Sequence, residues 1–313
     1  MVLINYVMMC FIFGTTFLAI KIGIDAGIPP FFSAGIRFFL AGLFLLLWMH
    51  FRGKTSFSLL FRKETLFTAL GLTFGTFSTL YWAEQHVSSG IAAVLSATGP
   101  MMILLIQTII WKQKNSRFAI LGCMLGFIGV SILTLPSLKG QMEWVWLVGC
   151  LAIIIGEIGY AFGTVYSKNM MDRFQGVSPV ALNGAQMTLG GLLLFLLSIF
   201  TEPLHIESFY SLEAAGSVLY LIIFGSMIGH SIYYYLVVKT GPIFPSTWLY
   251  ISPFIALTLG IYWYQEPFTF ELLIGGVLII IGVLFINWDK LNFKWRKTAD
   301  WKTNKLEKSH TSH

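Results

Sequence analysis

The sequence predicts an all-α integral membrane protein: ten transmembrane helices arranged as two inverted five-helix repeats. Three observations predict it, namely the composition, the length of the apolar runs and the side of those runs on which Lys and Arg gather. Of the 313 residues, 56% are apolar, 16% aromatic and only 11% charged, whereas an average soluble domain carries about 25% charged residues. A water-facing surface made from this mixture would expose large apolar patches, and lipid as the solvent removes that conflict. A bilayer core admits only helices or closed barrels. Barrel strands alternate apolar and polar residues, whereas the apolar runs here are continuous, so helices are expected.

A spanning helix needs about 20 predominantly apolar residues. Ten runs qualify in order: Val2–Ile20, Phe31–His50, Leu66–Trp82, Gly90–Trp111, Phe118–Leu135, Trp144–Ser167, Val180–Phe200, Ala214–Val238, Phe244–Tyr264 and Glu271–Trp288. The first has neither a basic start nor a clear small-residue cleavage site, and comparable runs follow it, so it reads as a spanning helix rather than a signal peptide. The third is the shortest, and Glu84 and His86 close it. Beyond Trp288 the chain turns polar and basic, with nothing to bury, and is expected to be a disordered tail. Trp288, Phe293 and Trp295 suit a membrane interface. Cys10, Cys123 and Cys150 each sit inside an apolar run without metal-ligand spacing and read as small buried residues.

Lys and Arg concentrate in cytoplasmic loops of membrane proteins. With the N-terminus inside, all but three of the 20 basic residues fall in cytoplasmic loops or the tail. The exceptions are Lys21, Lys139 and Arg37. Glu84, Glu202, Glu207, Glu213, Glu266 and Glu271 all fall outside. A miscounted helix would scramble this pattern, so it supports ten spans with both termini cytoplasmic in a plasma membrane. The net charge of +6 thus belongs to loops and tail, not to a nucleic-acid-binding face.

The chain also repeats itself. Pro100 and Pro253, Gly122 and Gly275, and Gly129 and Gly282 each stand 153 positions apart. "PFFSAGIRFFLAGLFLL" from Pro30 parallels "PVALNGAQMTLGGLLLFLL" from Pro179, matching Gly35 with Gly184, Gly42 with Gly191 and Arg37 with Gln186. Five helices per half reverse the second copy, the signature of an inverted-topology repeat. The expected units are residues 1–137, residues 138–289 and a basic cytoplasmic tail over 290–313.

At these positions the chain resembles the EamA-like family of the drug/metabolite transporter superfamily. The resemblance is carried by "FGTTFLAIKIG", "IRFFLAGLFLL" and "SSGIAAVLSATGPMMILLIQTIIWKQ" in the first half. In the second half it is carried by "WLYISPFIALTLGIYWYQEPFT" and "GGVLIIIGVLFIN". The sequence departs from the family where a Gly-Glu pair often follows helices 4 and 9: here stand Lys112-Gln113-Lys114 and Gln265-Glu266-Pro267. The resemblance implies a secondary transporter that exports or exchanges a small organic metabolite, such as an amino acid, a related metabolite or a drug. Helices 1–4 and 6–9 would line a central cavity. Helices 5 and 10 look like packing or homodimer surfaces.

Two charged groups, Arg37 and Glu157, lie well inside the runs. A charge at the centre of a bilayer costs roughly 2.5–3.5 kcal/mol on insertion scales, so such groups face a partner or a wet cavity. Arg37 is a candidate anchor for a substrate carboxylate; the plainer reading is a structural pair or a side chain reaching the interface. Glu157, with Tyr160 and Thr164 along the same helix face, is a candidate for binding an amine or carrying a proton. Gln186, His230, Tyr234, Trp82 and Trp248 complete the candidates, each with a helix-packing or interface-anchoring alternative. Pro100 and Pro253 break helical hydrogen bonding and mark candidate flexible points. GxxxG at Gly71–Gly75 and Gly122–Gly126 points to close helix packing. "GKT" at Gly53–Thr55 lacks the upstream glycine of a phosphate loop. No HExxH or GxSxG occurs, and neither a cofactor nor a metal is expected. A passive channel, and a membrane-embedded lipid-modifying enzyme, stand as the alternatives.

Overall fold

The computed structural model describes residues 1–55, 57–87, 89–134, 143–173, 177–203, 211–255 and 270–288. Regular structure among them is entirely helical. The first helix, α1, spans Val2–Asp25 and stops where Gly27 turns to a φ of 86°. Helix α2 (Pro30–Phe51) opens on proline, whose missing N–H costs nothing in a first turn. Its next free amides, those of Phe31 and Phe32, donate to Glu202 Oε1 (2.7 Å) and Oε2 (2.9 Å). A 3₁₀ turn over Phe57–Phe61 leads to α3, residues 63–83, which is π-helical over Ala69–Gly75. Helix α4 is divided into Ser89–Ser96 and Gly99–Ile109.

Helix α5 covers Arg117–Thr134, α6 Trp144–Arg173 and α7 Pro179–Thr201. Helix α8 runs over Leu212–Thr240 and is π-helical over Leu221–His230. It ends at Gly241, with a φ of 82°. Helix α9 begins with Ile243–Ser246, and its described part continues to residue 255; α10 is Phe270–Ile286.

Among the described residues, six helical stretches are long and apolar enough to cross a membrane, and two shorter apolar helices, Arg117–Ile132 and Leu273–Ile286, accompany them. Their outward faces carry exposed Leu3, Phe11 and Leu18 on α1 and exposed Leu121, Met124 and Ile128 on α5. Such surfaces suit hydrocarbon and not water.

Two expectations need adjustment. The run Gly90–Trp111 is broken at Ala97–Thr98, so Pro100 starts a helix rather than kinking one. Helix α6 outlasts its apolar run by six residues to Arg173: the added turns bury Met170 in the core, and an ion pair between Lys168 and Asp172 at 2.6 Å supports them on the exposed side. Phe244–Tyr264 lies within the described residues only as far as Ile255. The tail over 290–313, with Phe293, Trp295, Lys139, Glu207 and Glu266, lies outside them.

Close approach between helices follows the small residues. Helix α2 crosses α7 so tightly that a Cβ on Gly42 would strike backbone atoms of Thr188 and Gly184, and one on Gly191 would strike the backbone of Phe39. Helix α5 lies on α10 with Gly122 against Gly282 and Gly129 against Gly275. In α3, Gly71 faces Gly159 and Gly163 of α6, whereas Gly75 turns toward its own helix; Gly126 of α5 faces the Tyr250 ring. The α3 pair thus supplies one interhelical glycine contact, at Gly71, whereas both glycines of the α5 pair border Gly282 of α10. Helix α1 packs on α8, and α3 on α6.

Candidate functional site

A cavity lies where α1, α2, α3, α4, α6, α8 and α9 converge. Its open volume is about 30 Å³, room for roughly two water molecules and too little for a metabolite. The walls are mostly aromatic and aliphatic. Phe13 and Phe17 come from α1, Phe77 and Leu80 from α3, and Trp248 and Leu249 from α9. The polar groups in the lining include Arg37 of α2, Glu157 and Tyr160 of α6, and His230 and Tyr233 of α8.

Arg37 is 1% exposed. Its Nε donates to Ser226 Oγ at 2.8 Å and an Nη donates to the Tyr81 hydroxyl at 3.2 Å. The guanidinium also lies over the rings of Phe38 and Phe77, at 4.6 and 5.2 Å. Each ring offers a cation the negative face of its π-system. Among the described residues the two ion pairs are Lys21–Asp25 and Lys168–Asp172. Arg37 and Glu157 therefore share the cavity without touching.

Glu157 is buried, and its Oε2 has no hydrogen-bond partner. Gly99 makes space for that oxygen: a Cβ there would lie 2.5 Å from Oε2 and 2.7 Å from Leu249 Cδ1. The break in α4 thus presents a side-chain-free position to the carboxylate. His230 is buried edge-on to Phe13 and Phe38, with Nδ1 unpartnered. A ladder of hydroxyls continues along α6. Trp248 Nε1 donates to the Tyr160 hydroxyl (3.3 Å), which donates to the Tyr233 hydroxyl (2.8 Å), and Thr164 Oγ1 lies 3.0 Å from the latter.

The π-helical stretches help aim these groups. An inserted residue shifts the helix face beyond it. Thr76 and Phe77 follow directly on Ala69–Gly75, and His230 closes Leu221–His230; all three reach the cavity.

The remaining candidates take other places. Gln186 is fully buried between α7 and α3, accepting from Thr73 Oγ1 at 2.6 Å and donating to Asn183 at 3.3 Å, and it does not line the cavity. Tyr234 is fully buried outside the lining, and Thr164 meets the cavity only through Tyr233. Trp82 lines a separate vestibule with Ile24, Gln85 and Glu202 and stacks edge-on with His86. Pro100 and Pro253 are both buried.

Sequence reasoning missed Glu84. Read there as an external residue closing the third helix, it is fully buried, and both carboxylate oxygens lack partners. Its place beside Ala83 and His86 looks like a loop in sequence. Only the fold, which brings Lys21 of α1 to within 3.3 Å of its backbone oxygen, encloses it.

The fold and exposed apolar belt define a multi-pass membrane protein. The sequence profile of the EamA-like transporter family matches residues 1–135 and 147–288, and the chain belongs to that family. It is 30% identical over 277 residues to the uncharacterized inner membrane transporter YedA of Escherichia coli strain K12, covering 87% of this chain and 86% of that one. Protein PagO of Salmonella typhimurium is 28% identical over 284 residues, 90% of each chain. A solved structure described as a crystal structure of protein superposes with a TM-score of 0.73 at 18% identity, over 90% of this chain and 94% of that one. That likeness concerns the fold.

Proposed function

We propose that this transporter is a secondary carrier for a small organic molecule, working by alternating access through the cavity that holds Arg37 and Glu157. The observation that carries the reading is the convergence of two ionisable side chains of opposite kind, neither in an ion pair among the described residues, on one aromatic-walled cavity. Ionisable groups buried at such a cost face a pathway or a partner, and the partners here are neutral: Ser226 and Tyr81 for Arg37, and Ser96 for Glu157. The small present volume fits a contracted arrangement that opens to admit substrate. The chain carries no nucleotide-binding motif, so a gradient of substrate or of protons supplies the energy.

In this reading the halves are inverted five-helix repeats with both termini cytoplasmic. Helix pairing supports it: α2–α7 and α5–α10 join equivalent helices, while α1–α8 and α3–α6 are exchanged by a two-fold operation. Hydrogen bonding repeats too. Arg37 meets Ser226 of α8, and Gln186, its counterpart, meets Thr73 of α3. Thr73 and Ser226 stand at the same 153-residue spacing as the proline and glycine pairs. The π-helical stretches of α3 and α8 correspond as well.

The test begins with a metabolite and drug resistance screen on overexpressing cells, and continues with the protein in sealed vesicles loaded with the solute so found. A carrier gives saturable uptake of labelled solute that is accelerated by unlabelled solute on the opposite side. Non-saturating flux without counterflow would support a passive channel and contradict the proposal.

A further inference from the structure

Between the cavity and the outer vestibule runs a partition made from α1 and α3. Helix α1 gives Ile20 to the cavity and Ile24 to the vestibule, with Lys21 between them. Helix α3 gives Leu80 to the cavity and Trp82 to the vestibule. Tyr81 lies between these two, and Glu84 follows at the first position beyond the helix. Lys21 Nζ ties the two elements together: it holds Asp25 at 2.9 Å and donates to the Glu84 backbone oxygen at 3.3 Å. Beneath them Tyr81 bonds Arg37 in the cavity wall.

Within this partition the Glu84 side chain is 0% exposed, with both carboxylate oxygens unpartnered. An ionised carboxylate so placed forfeits its hydration without replacement, whereas a neutral carboxyl forfeits far less. The closed partition therefore favours a proton on Glu84. Ionisation demands water, and the vestibule on the far side of Trp82 and Gln85 is where water is available.

We infer that Glu84 is a proton-binding latch at the outer end of the transport path: protonated, it permits closure, and on losing its proton to vestibule water it draws the partition open. The inference rests on the cavity being the transport path. The charges facing Glu84 are Lys21 and Asp25 from α1 and Arg37 from α2, with the Tyr81 hydroxyl on its own helix. From α6, Gly149 lies against Ala83 and Val87 on either side of Glu84. Burial pushes the Glu84 carboxyl well above its ordinary range, with the Lys21 and Arg37 charges offsetting part of that rise. Protonation then favours closure as the outer medium is acidified, and closure is lost as pH rises through that raised value.

The test replaces Cys10, Cys123 and Cys150 and places a single cysteine in the cavity, Thr16→Cys. Its labelling by an impermeant methanethiosulfonate is followed in intact cells from acidic to alkaline medium. Each rate is divided by that of Leu212→Cys, an exposed position outside the cavity, and the series stops below the ordinary thiol pKa of about 8.5, where both thiolate fractions change alike with pH and their titration cancels. The expected ratio rises with pH by at most about tenfold per unit, the slope of one proton. It keeps that rise with Glu84→Asp, and stays low and flat with Glu84→Gln. An undiminished rise in Glu84→Gln, or a flat ratio with Glu84 intact, would overturn the latch while leaving the path standing. A cavity cysteine that never reacts at any pH would overturn the latch and the path together.

Discussion

Gly99→Ala reaches Glu157 without touching its chemistry. The added methyl would lie 2.5 Å from Glu157 Oε2 and 2.7 Å from Leu249 Cδ1. Ordinary van der Waals separation for a Cβ begins at about 3.4 Å, so the carboxylate must retreat by roughly 0.9 Å. The atoms in the way are side-chain ends, not backbone, so α4 and α6 need not separate. Turning a side chain about 30° from its rotamer costs about 0.5–1.5 kcal/mol. That range bounds the loss of stability, and it corresponds to about a two- to thirteenfold change in an equilibrium constant. A site that works by geometry loses far more when a group moves by about 1 Å, up to about 100-fold. The expected result is therefore a small fall in the thermal midpoint of detergent-solubilised protein beside a much larger fall in transport by the same preparation in vesicles. Transport unchanged in Gly99→Ala would refute the claim that the place of the Glu157 carboxylate matters.

Other expectations follow from the same contacts. Glu202→Ala removes both acceptors from the amides opening α2 and should lower stability by about 1–2 kcal/mol, read as a lower thermal midpoint. Gly42→Ala forces a methyl into the backbone of α7 and should cost about 1–3 kcal/mol. Gly216→Ala, with nothing within 4 Å of the new methyl, should be neutral or stabilising by about 0.5–1 kcal/mol; equal effects of the two would contradict the packing. A single cysteine at Lys54 should resist an impermeant thiol reagent in intact cells while one at Glu213 reacts, and the reverse pattern would invert the proposed orientation.

Helices were legible because lipid imposes one rule on whole segments, and continuous apolar runs record it. Their ends were less legible. Lys168, Asn169 and Asp172 satisfy a helix as readily as a loop, so α6 continues where the apolar signal stops. The Arg37–Gln186 correspondence was visible as spacing, but their different surroundings were not. Gln186 is enclosed by Thr73 and Asn183, whereas Arg37 reaches the cavity. Arg37 and Glu157 announced themselves as charges inside apolar runs. Glu84 did not, because its burial comes from α1 folding over a segment 63 residues away in sequence. Composition within a window carries no trace of such a neighbour. The π-helical turns that help aim Phe77 and His230 also leave no simple residue signature.

The central claim is that the cavity charges move substrate and do not merely hold helices together, and Glu157→Gln tests it most directly. Glutamine keeps the shape and an acceptor but loses both the charge and the proton. The measurement is counterflow in vesicles, over a series of pH values, with insertion and thermal midpoint checked on the same protein. The account predicts normal insertion with transport that is lost, reduced in affinity or no longer responsive to a pH gradient. Transport kinetics and pH dependence identical to those of the unaltered protein would contradict it.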